Sequence, residues 1–169
     1  MAGNIVSGTR ILNGEIIQRK LRRMAFQIAE NNAGEKEIVI AGIAGNGTLL
    51  AQKLVAELKP ILGISIEQIA IQLDKKNPQQ VVVTPQRDWT GAIIIVVDDV
   101  SNTGKTLLYA LKPFLDFQPK KIQTLVLVER SHKLFSIQPD YVGLTVTTTL
   151  QEHISVITEN NEIQGAWLH

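Results

Sequence analysis

The run of aliphatic residues at positions 92–97 limits most strongly what this chain can fold into. Alanine is followed there by five branched aliphatic side chains, and Asp98 and Asp99 close the run. A strand with one exposed face alternates apolar and polar residues, whereas a strand covered on both faces is continuously apolar. The run therefore predicts a central strand of a parallel sheet. It is also too short to cross a bilayer, so we expect no membrane partner.

The order of elements along the chain predicts helices on both faces of that sheet. Apolar residues at helical spacing favour helices at residues 13–31, after residue 47 and after residue 103. Between and after them lie short apolar runs that favour strands, at residues 37–42, 64–73, 81–84, 122–128 and 141–147. Residues 153–157 and 163–168 favour a terminal hairpin turning at 159–162. We expect an α/β fold, a mainly parallel sheet flanked by helices with a β-rich C-terminal tail.

Length and composition indicate one globular domain spanning residues 1–169. The 17 basic and 16 acidic residues leave a net charge of +1, which argues against nucleic-acid binding by bulk charge. A local basic patch stays possible on the first helix, at Arg19, Lys20, Arg22 and Arg23. The absence of cysteine excludes disulfides and thiolate metal sites. Residues 1–10 lack the apolar core of a signal peptide, and we expect a cytoplasmic protein.

Residues 98–106 are the best candidate for a functional loop. Two carboxylates stand at the carboxyl end of the aliphatic strand, and small and hydroxyl-bearing residues lead from them into a helix. Backbone N–H groups at such a turn and helix start bind phosphate, and Gly104 permits a positive φ. The carboxylates suit sugar hydroxyls or a hydrated magnesium ion. A ribose phosphate fits this loop; the structural alternative is that these residues only cap the strand and the helix.

The order Asp98-Asp99-Val100, two residues, then Thr103-Gly104-Lys105-Thr106 resembles the phosphoribosyl-pyrophosphate signature of the type I phosphoribosyltransferases. Residues 119–123, 125–133 and 137–143 are similar to one branch, the bifunctional pyrimidine-operon attenuation regulators that are also uracil phosphoribosyltransferases. The likeness covers residues 14–159. It implies a pentosyltransferase that joins a nucleobase, uracil, to phosphoribosyl pyrophosphate and releases pyrophosphate, with Mg²⁺ as cofactor.

The resemblance also implies a role for each matching position. Asp98 and Asp99 would be the catalytic residues and would hold the metal through water. The 5′-phosphate would bind to Ser101, Asn102, Thr103, Gly104, Lys105 and Thr106. The pyrophosphate would bind to Gly45, Asn46 and Gly47. The nucleobase, or the base of a nucleoside monophosphate, would contact Arg130, Val142 and Gly143.

The chain departs from the branch at several of these positions. The loop at residues 44–47 carries no cation, and the predicted lid at residues 74–89 opens with Lys75 and Lys76 in place of an Arg-Asp pair. Lys75, Lys76 or Arg87 would have to supply the charge on closure. Leu144 also replaces a lysine of the branch's RNA-reading surface. Two alternatives therefore stay open: an RNA-binding nucleotide sensor with weak or no catalysis, and a hypoxanthine–guanine-type phosphoribosyltransferase.

Several apolar residues lie off the apolar faces of the predicted helices and raise the question of whether the chain forms an oligomer. Ile16 and Phe26 lie off the apolar face of the first helix, and Phe114, Leu115 and Phe117 surround the helix-breaking Pro113. Such side chains need cover from a partner or from the same chain. We expect a homodimer; the alternative is that the hairpin strand at residues 163–168 covers them.

Overall fold

The computed structural model describes residues 7–169, and within them the chain forms two sheets and the helices that pack on the larger one. The elements follow one another in the order β1 (Thr9–Asn13), α1 (Gly14–Asn31), β2 (Glu37–Ile43), α2 (Asn46–Leu58), β3 (Ser65–Leu73), β4 (Val81–Thr84), β5 (Ile93–Ser101), α3 (Lys105–Ala110), α4 (Lys112–Leu115), β6 (Lys121–Arg130), β7 (Tyr141–Val146), β8 (Ile154–Glu159) and β9 (Glu162–Leu168).

The larger sheet has the strand order β4-β3-β2-β5-β6-β7. Its strands run parallel except β4, which pairs antiparallel with β3 at one edge. The aliphatic residues of β5 are buried on both faces, as the unbroken run predicts. The α/β class, the mainly parallel sheet and the flanking helices are therefore confirmed.

Two apolar layers cover the faces of this sheet. On one face α1 and α2 pack with their apolar residues inward, and on the other α3 and α4 pack around Trp89 and Phe114. The predicted N-cap of α1 is present: the Asn13 Oδ1 atom accepts a hydrogen bond of 2.8 Å from the Ile16 N–H group. Phe114 is fully buried, edge-on to Trp89 with 5.6 Å between ring centroids, and needs no partner chain.

Two predicted boundaries around the sheet were wrong, the end of β5 and the start of α2. Strand β5 continues to Ser101, so Asp98 and Asp99 lie inside the strand, and Asp98 is opposite Val126 of β6. The helix predicted from residue 103 is shortened, as Pro113 predicts: it forms two short helices, α3 and α4, because Pro113 has no N–H group to continue α3. Helix α2 begins at Asn46, so only the first half of the segment 44–47 is loop.

The C-terminal tail forms its own sheet, with the strand order β1-β9-β8. The hairpin of β8 and β9 is as predicted, and Asn160 and Asn161 make its turn with φ values of 51° and 60°. Strand β1 was not predicted, because its sequence is mostly polar and only Leu12 is buried. The hairpin leaves Ile16 and Phe26 exposed, so strand β9 does not cover these two side chains.

Within residues 7–169, no helix combines the length and the apolar character needed to span a membrane.

Candidate functional site

A cavity of about 360 Å³ opens at the carboxyl end of β5, and β8 forms its opposite wall. Its floor comes from β5 and the loop to α3, and further walls come from the start of α2 and from the segment after β3. The lining residues are Asn46, Lys75, Asp98, Asp99, Val100, Ser101, Asn102, Thr103, Gly104, Thr106, Leu107, His153, Ile154, Ser155 and Val156. The tail therefore closes over the loop that the sequence identified as functional.

Asp98 and Asp99 form a buried acidic pair on this floor, 1% and 8% exposed. Burial, and secondly the neighbouring charge of Asp99, raise the pKa of the Asp98 carboxyl to about 7 against the opposing charge of Lys75. The Lys75 Nζ atom lies 3.2 Å from Asp98 Oδ1 and 3.7 Å from Asp99 Oδ1. Burial by itself would lower the pKa of Lys75, but the two carboxylates outweigh it and the pKa is raised.

Asn46 joins three parts of the site. Its Nδ2 atom donates to Asp99 Oδ2 and to the Val156 carbonyl, both at 2.9 Å, and its Oδ1 atom accepts a hydrogen bond of 3.2 Å from the Thr158 hydroxyl. The amide therefore holds the start of α2 against the acidic pair and against β8. A carboxylate or a lysine at position 46 could not both donate to Asp99 and accept from Thr158.

Gly47 lets α2 approach β5 closely. A Cβ atom at position 47 would lie 2.8 Å from the Val97 carbonyl oxygen and 3.2 Å from Asp98 Oδ1. These distances leave no room for a side chain, so packing explains the glycine at position 47. Gly45, the N-cap of α2, has a φ of 92° and open space around it.

The loop between β5 and α3 is braced from outside. The Thr103 carbonyl accepts hydrogen bonds of 3.0 Å from the N–H groups of Leu134 and Phe135. Gly104 has the predicted positive φ, 83°, and a Cβ atom there would lie 2.9 Å from Ile137. The side-chain oxygens of Ser101 and Asn102 are buried without a hydrogen-bond partner. Since α3 has only six residues, its dipole is weak, and an anion here would depend on the loop N–H and hydroxyl groups.

The residues predicted to contact the base lie away from this cavity. Val142 and Gly143 belong to β7, and their carbonyl oxygens accept hydrogen bonds of 2.8 Å from Arg23 and Lys20 respectively. Arg130 ends β6, where its guanidinium donates to the Thr148 hydroxyl and the Thr149 carbonyl. Arg130 lines a second cavity of about 530 Å³ with Ser131, His132, Thr147, Thr148, Thr149 and Leu150.

These contacts also account for the basic residues of α1. Lys20 and Arg23 cap the free edge of β7, and Arg19 pairs with Glu15 one turn earlier in the helix. Charged side chains on an edge strand prevent it from pairing with another chain. Lys20 and Arg23 therefore bond within the chain, although the side chains of Arg19, Arg22 and Arg23 stay exposed on this helix.

The donor set of the acidic pair fits a hydrated magnesium ion. Two carboxylates in a small polar cavity can bind Mg²⁺ when water and substrate oxygens complete the octahedron. Among residues 7–169 no group of three or more His, Asp or Glu side chains forms a dedicated metal cage. The site would thus take the metal mainly together with a substrate that brings its own oxygen ligands.

Sequence reasoning missed the wall formed by His153, Ile154, Ser155 and Val156. These residues lie about fifty positions after the acidic pair and carry no motif, so only the path of the tail brings them to the cavity. Lys75 was one of three cations considered for the site. Of those three it is the one that lines the cavity, whereas Arg87 pairs with Glu37 and Glu67.

Comparison with known proteins agrees with this geometry. The sequence matches the phosphoribosyl transferase domain family over residues 7–159. It is 34% identical to the bifunctional protein PyrR 1 of Lactiplantibacillus plantarum, over 90% of this chain and 91% of that protein. It is 36% identical to the bifunctional protein PyrR of Pelotomaculum thermopropionicum, over 92% of this chain and 91% of that protein.

Solved structures share the fold at low sequence identity. A hypoxanthine-guanine phosphoribosyltransferase of Bacillus anthracis superposes with a TM-score of 0.75 at 19% identity, covering 95% of this chain and 99% of that one. The hypoxanthine phosphoribosyltransferase of Trypanosoma cruzi gives a TM-score of 0.77 at 15% identity, covering 95% and 97%. The acidic pair at the end of β5, the braced loop after it and the family match over most of the sequence lead to one conclusion: this chain belongs to the phosphoribosyltransferase family.

Proposed function

We propose that this protein transfers the phosphoribosyl group of phosphoribosyl pyrophosphate to a nucleobase, uracil, and releases pyrophosphate. The observation that carries the proposal is the acidic pair and hydroxyl-rich loop, residues 98–106, in one cavity under β8. The uracil assignment is supported by the similarity to the PyrR relatives, which is stronger in sequence than the similarity to the purine enzymes.

In the proposed complex the loop binds the 5′-phosphate. Thr103, Gly104 and Thr106 line the cavity and offer hydroxyl and backbone N–H donors. Gly104 is required there because its φ of 83° turns the chain between strand and helix. The bonds from Leu134 and Phe135 to the Thr103 carbonyl hold the loop in place before the substrate arrives. A preorganised loop loses little conformational entropy on binding.

Asp98 and Asp99 accept hydrogen bonds from the ribose hydroxyls or from metal-bound water. In the reaction the bond from C1′ to the pyrophosphate oxygen breaks, the bond from C1′ to the base nitrogen forms, and the base releases its N–H proton to solvent water. Positive charge develops on the ribose, and the buried carboxylates nearby stabilise it. Asp98 and Asp99 would hold Mg²⁺ through water, and the ion would supply positive charge to the departing pyrophosphate. Asn46 keeps Asp99 oriented, and the cavity walls align the reacting atoms.

The base site remains a proposal, with Arg130 as its charged residue. Its cavity lies at the carboxyl end of β6, on the same edge of the sheet as the acidic pair. We assign Val142 and Gly143 a structural role instead, because their carbonyls already accept hydrogen bonds from Arg23 and Lys20. The segment 147–149, which lines the same cavity as Arg130, supplies further hydroxyl and backbone groups for the base.

Turnover with a panel of bases tests the proposal. The protein is incubated with phosphoribosyl pyrophosphate, Mg²⁺ and uracil, hypoxanthine, guanine or xanthine, and pyrophosphate release is measured. We expect release with uracil and its loss in Asp99→Asn, while the exposed Asp116→Asn behaves as wild type. Release with a purine alone would replace uracil by the hypoxanthine–guanine alternative. No release with any base would refute the enzyme assignment.

We propose that the protein acts as a homodimer. Ile16 and Phe26 stay exposed on the outer face of α1 although both are large and apolar, and burying them against a second copy would remove that surface from water. Light scattering at micromolar concentration tests this. A monomer mass that persists as the concentration rises would refute it.

RNA binding is the second candidate function, and it is supported only by similarity to relatives named bifunctional. To test it, the affinity of the protein for a pyrimidine-leader RNA hairpin is measured at a series of salt concentrations. Affinity that falls steeply with salt would indicate a phosphate-binding surface. Because Lys20 and Arg23 bond to β7, they are less available to RNA phosphates, and no binding at low salt would remove this candidate.

A further inference from the structure

We propose that Lys75 is a built-in counter-cation: its ammonium group occupies the acidic pair before substrate binds, and the metal complex of phosphoribosyl pyrophosphate must displace it. The displaced ammonium then pairs with the pyrophosphate, which supplies the cation that residues 44–47 lack. This inference rests on the proposed substrate. Its first part, the competition between Lys75 and a divalent cation, concerns only groups of this chain.

The contacts of the acidic pair show why the competition must occur. The Asp98 Oδ1 atom accepts from the Asp99 N–H group at 3.0 Å and from Lys75 at 3.2 Å. Asp98 Oδ2 lies 3.5 Å from Lys75. Asp99 Oδ1 accepts from the Val100 N–H group at 2.9 Å and faces Lys75 at 3.7 Å, and Asp99 Oδ2 is taken by Asn46. Every carboxylate oxygen therefore has a donor, and three of the four have Lys75 as a neighbour.

A divalent cation needs the same oxygens. Asn46 and the backbone donors are fixed by α2 and β5, so they stay in place when a cation arrives. Lys75 is the donor that can leave, because it follows the end of β3, its side chain is 47% exposed, and its neighbours from Asp74 to Asn77 are exposed as well. Two positive charges at one carboxylate repel each other, so the cation and the ammonium exclude one another.

The other cations near this segment are placed differently. Lys76 is exposed and does not line the cavity. Arg87 stacks on Trp89, 4.2 Å from the ring centroid, and pairs with Glu67. Lys105 points its backbone N–H group at Thr103 and is absent from the lining. Among residues 7–169, Lys75 is thus the lysine or arginine that lines the cavity. Its flexible side chain can turn away from the two carboxylates and still reach into the same cavity.

Manganese binding without substrate tests the competition. The chelator-treated protein is titrated with Mn²⁺ at pH 8, and free Mn²⁺ is measured by electron paramagnetic resonance. We expect Lys75→Met to bind Mn²⁺ about tenfold or more tightly than wild type, since the competing charge is gone. Lys75→Arg keeps the charge and Lys76→Met changes only the exposed neighbour, so both stay within about twofold of wild type. Equal Mn²⁺ affinity in wild type and Lys75→Met would overturn the competition.

Substrate binding tests the second part. Calorimetry with phosphoribosyl pyrophosphate and Mg²⁺ should show about tenfold weaker binding to Lys75→Met, because a charge-assisted contact to the pyrophosphate is lost. Unchanged substrate affinity would overturn the pyrophosphate contact. Failure of the proposed function has a different signature: no variant, wild type included, would then bind phosphoribosyl pyrophosphate, while the Mn²⁺ difference would persist.

Discussion

Replacing Asp98 by asparagine should make the folded protein more stable at neutral and alkaline pH. Asp98 is 1% exposed, and its pKa in the folded protein is about 7, against 3.8 for the unperturbed group. Burial is the main cause of this shift, and the charge of Asp99 adds to it. Asparagine has nearly the same shape, keeps an acceptor for the Asp99 N–H group and carries no charge at any pH.

The sign and size of the stability gain in Asp98→Asn follow from proton linkage. Because the folded pKa is raised, the favourable contribution of protonated Asp98 is complete below pH 3.8 and is lost as the pH rises through about 7. The difference between the two pKa values corresponds to a loss of at most about 4 kcal/mol above pH 7. Coupling to Asp99 and Lys75 divides this energy among the three groups, so we expect Asp98→Asn to gain about 1–4 kcal/mol at pH 8.

Urea unfolding of the chelator-treated protein at pH 5, 6, 7 and 8 measures the effect, with tryptophan fluorescence as the signal. Trp89 is buried, so its emission reports on loss of the fold. The gap in unfolding free energy between Asp98→Asn and wild type should widen from pH 5 to pH 8, whereas the exposed Asp116→Asn should show no such trend. A gap that stays constant over this range, or a variant less stable than wild type at pH 8, would refute the reasoning. If Asp98→Asn is more stable but loses turnover, the Asp98 carboxylate lowers the stability of the wild-type protein and is retained for its activity.

Three further substitutions test the packing and the roles of individual residues. Gly47→Ala places a methyl group 2.8 Å from the Val97 carbonyl oxygen and should cost about 1–3 kcal/mol of unfolding free energy in urea titrations, so an unchanged midpoint would contradict the close approach. Thr103→Ala should lower the melting temperature only slightly, through loss of the bond from the Lys105 N–H group, but weaken uridine monophosphate binding by about 1.5–3 kcal/mol in calorimetry. Equal affinity would remove Thr103 from the phosphate site. Lys20→Met should lower the unfolding free energy by only about 0.5–1 kcal/mol without changing turnover, because Arg23 also donates to the Gly143 carbonyl, at 3.2 Å. Lost turnover at wild-type stability would contradict the structural role of Lys20.

The central sheet and its functional loop could be predicted because their signals are local. The aliphatic run before Asp98 can be buried only in a sheet covered on both faces, and glycine at position 104 permits the positive φ that its turn adopts. The N-cap Asn13 and the turn at Asn160 and Asn161 were equally readable, because each uses a side chain suited to that one backbone geometry.

Errors at the boundaries arose where long-range contacts outweighed local preference. Strand β5 continues through two aspartates because β6 pairs with it as far as Ser101. Strand β1 is polar and has little strand signal of its own, yet β9 supplies its hydrogen-bond partners. A single sequence does not contain these pairings, because they depend on which segments meet after folding.

The amino-acid sequence by itself determined the fold class, the family and the position of the acidic pair, since these depend on residue order within short segments. The tertiary structure alone decided what surrounds that pair. It brought Lys75 from the end of β3, Asn46 from the start of α2 and the wall at Val156 from the tail to within contact of one cavity. It also turned Lys20 and Arg23 from a candidate nucleic-acid surface into caps of β7. The reason is physical: charge, burial and hydrogen bonding act through space, and residues far apart in sequence become neighbours only when the chain is packed.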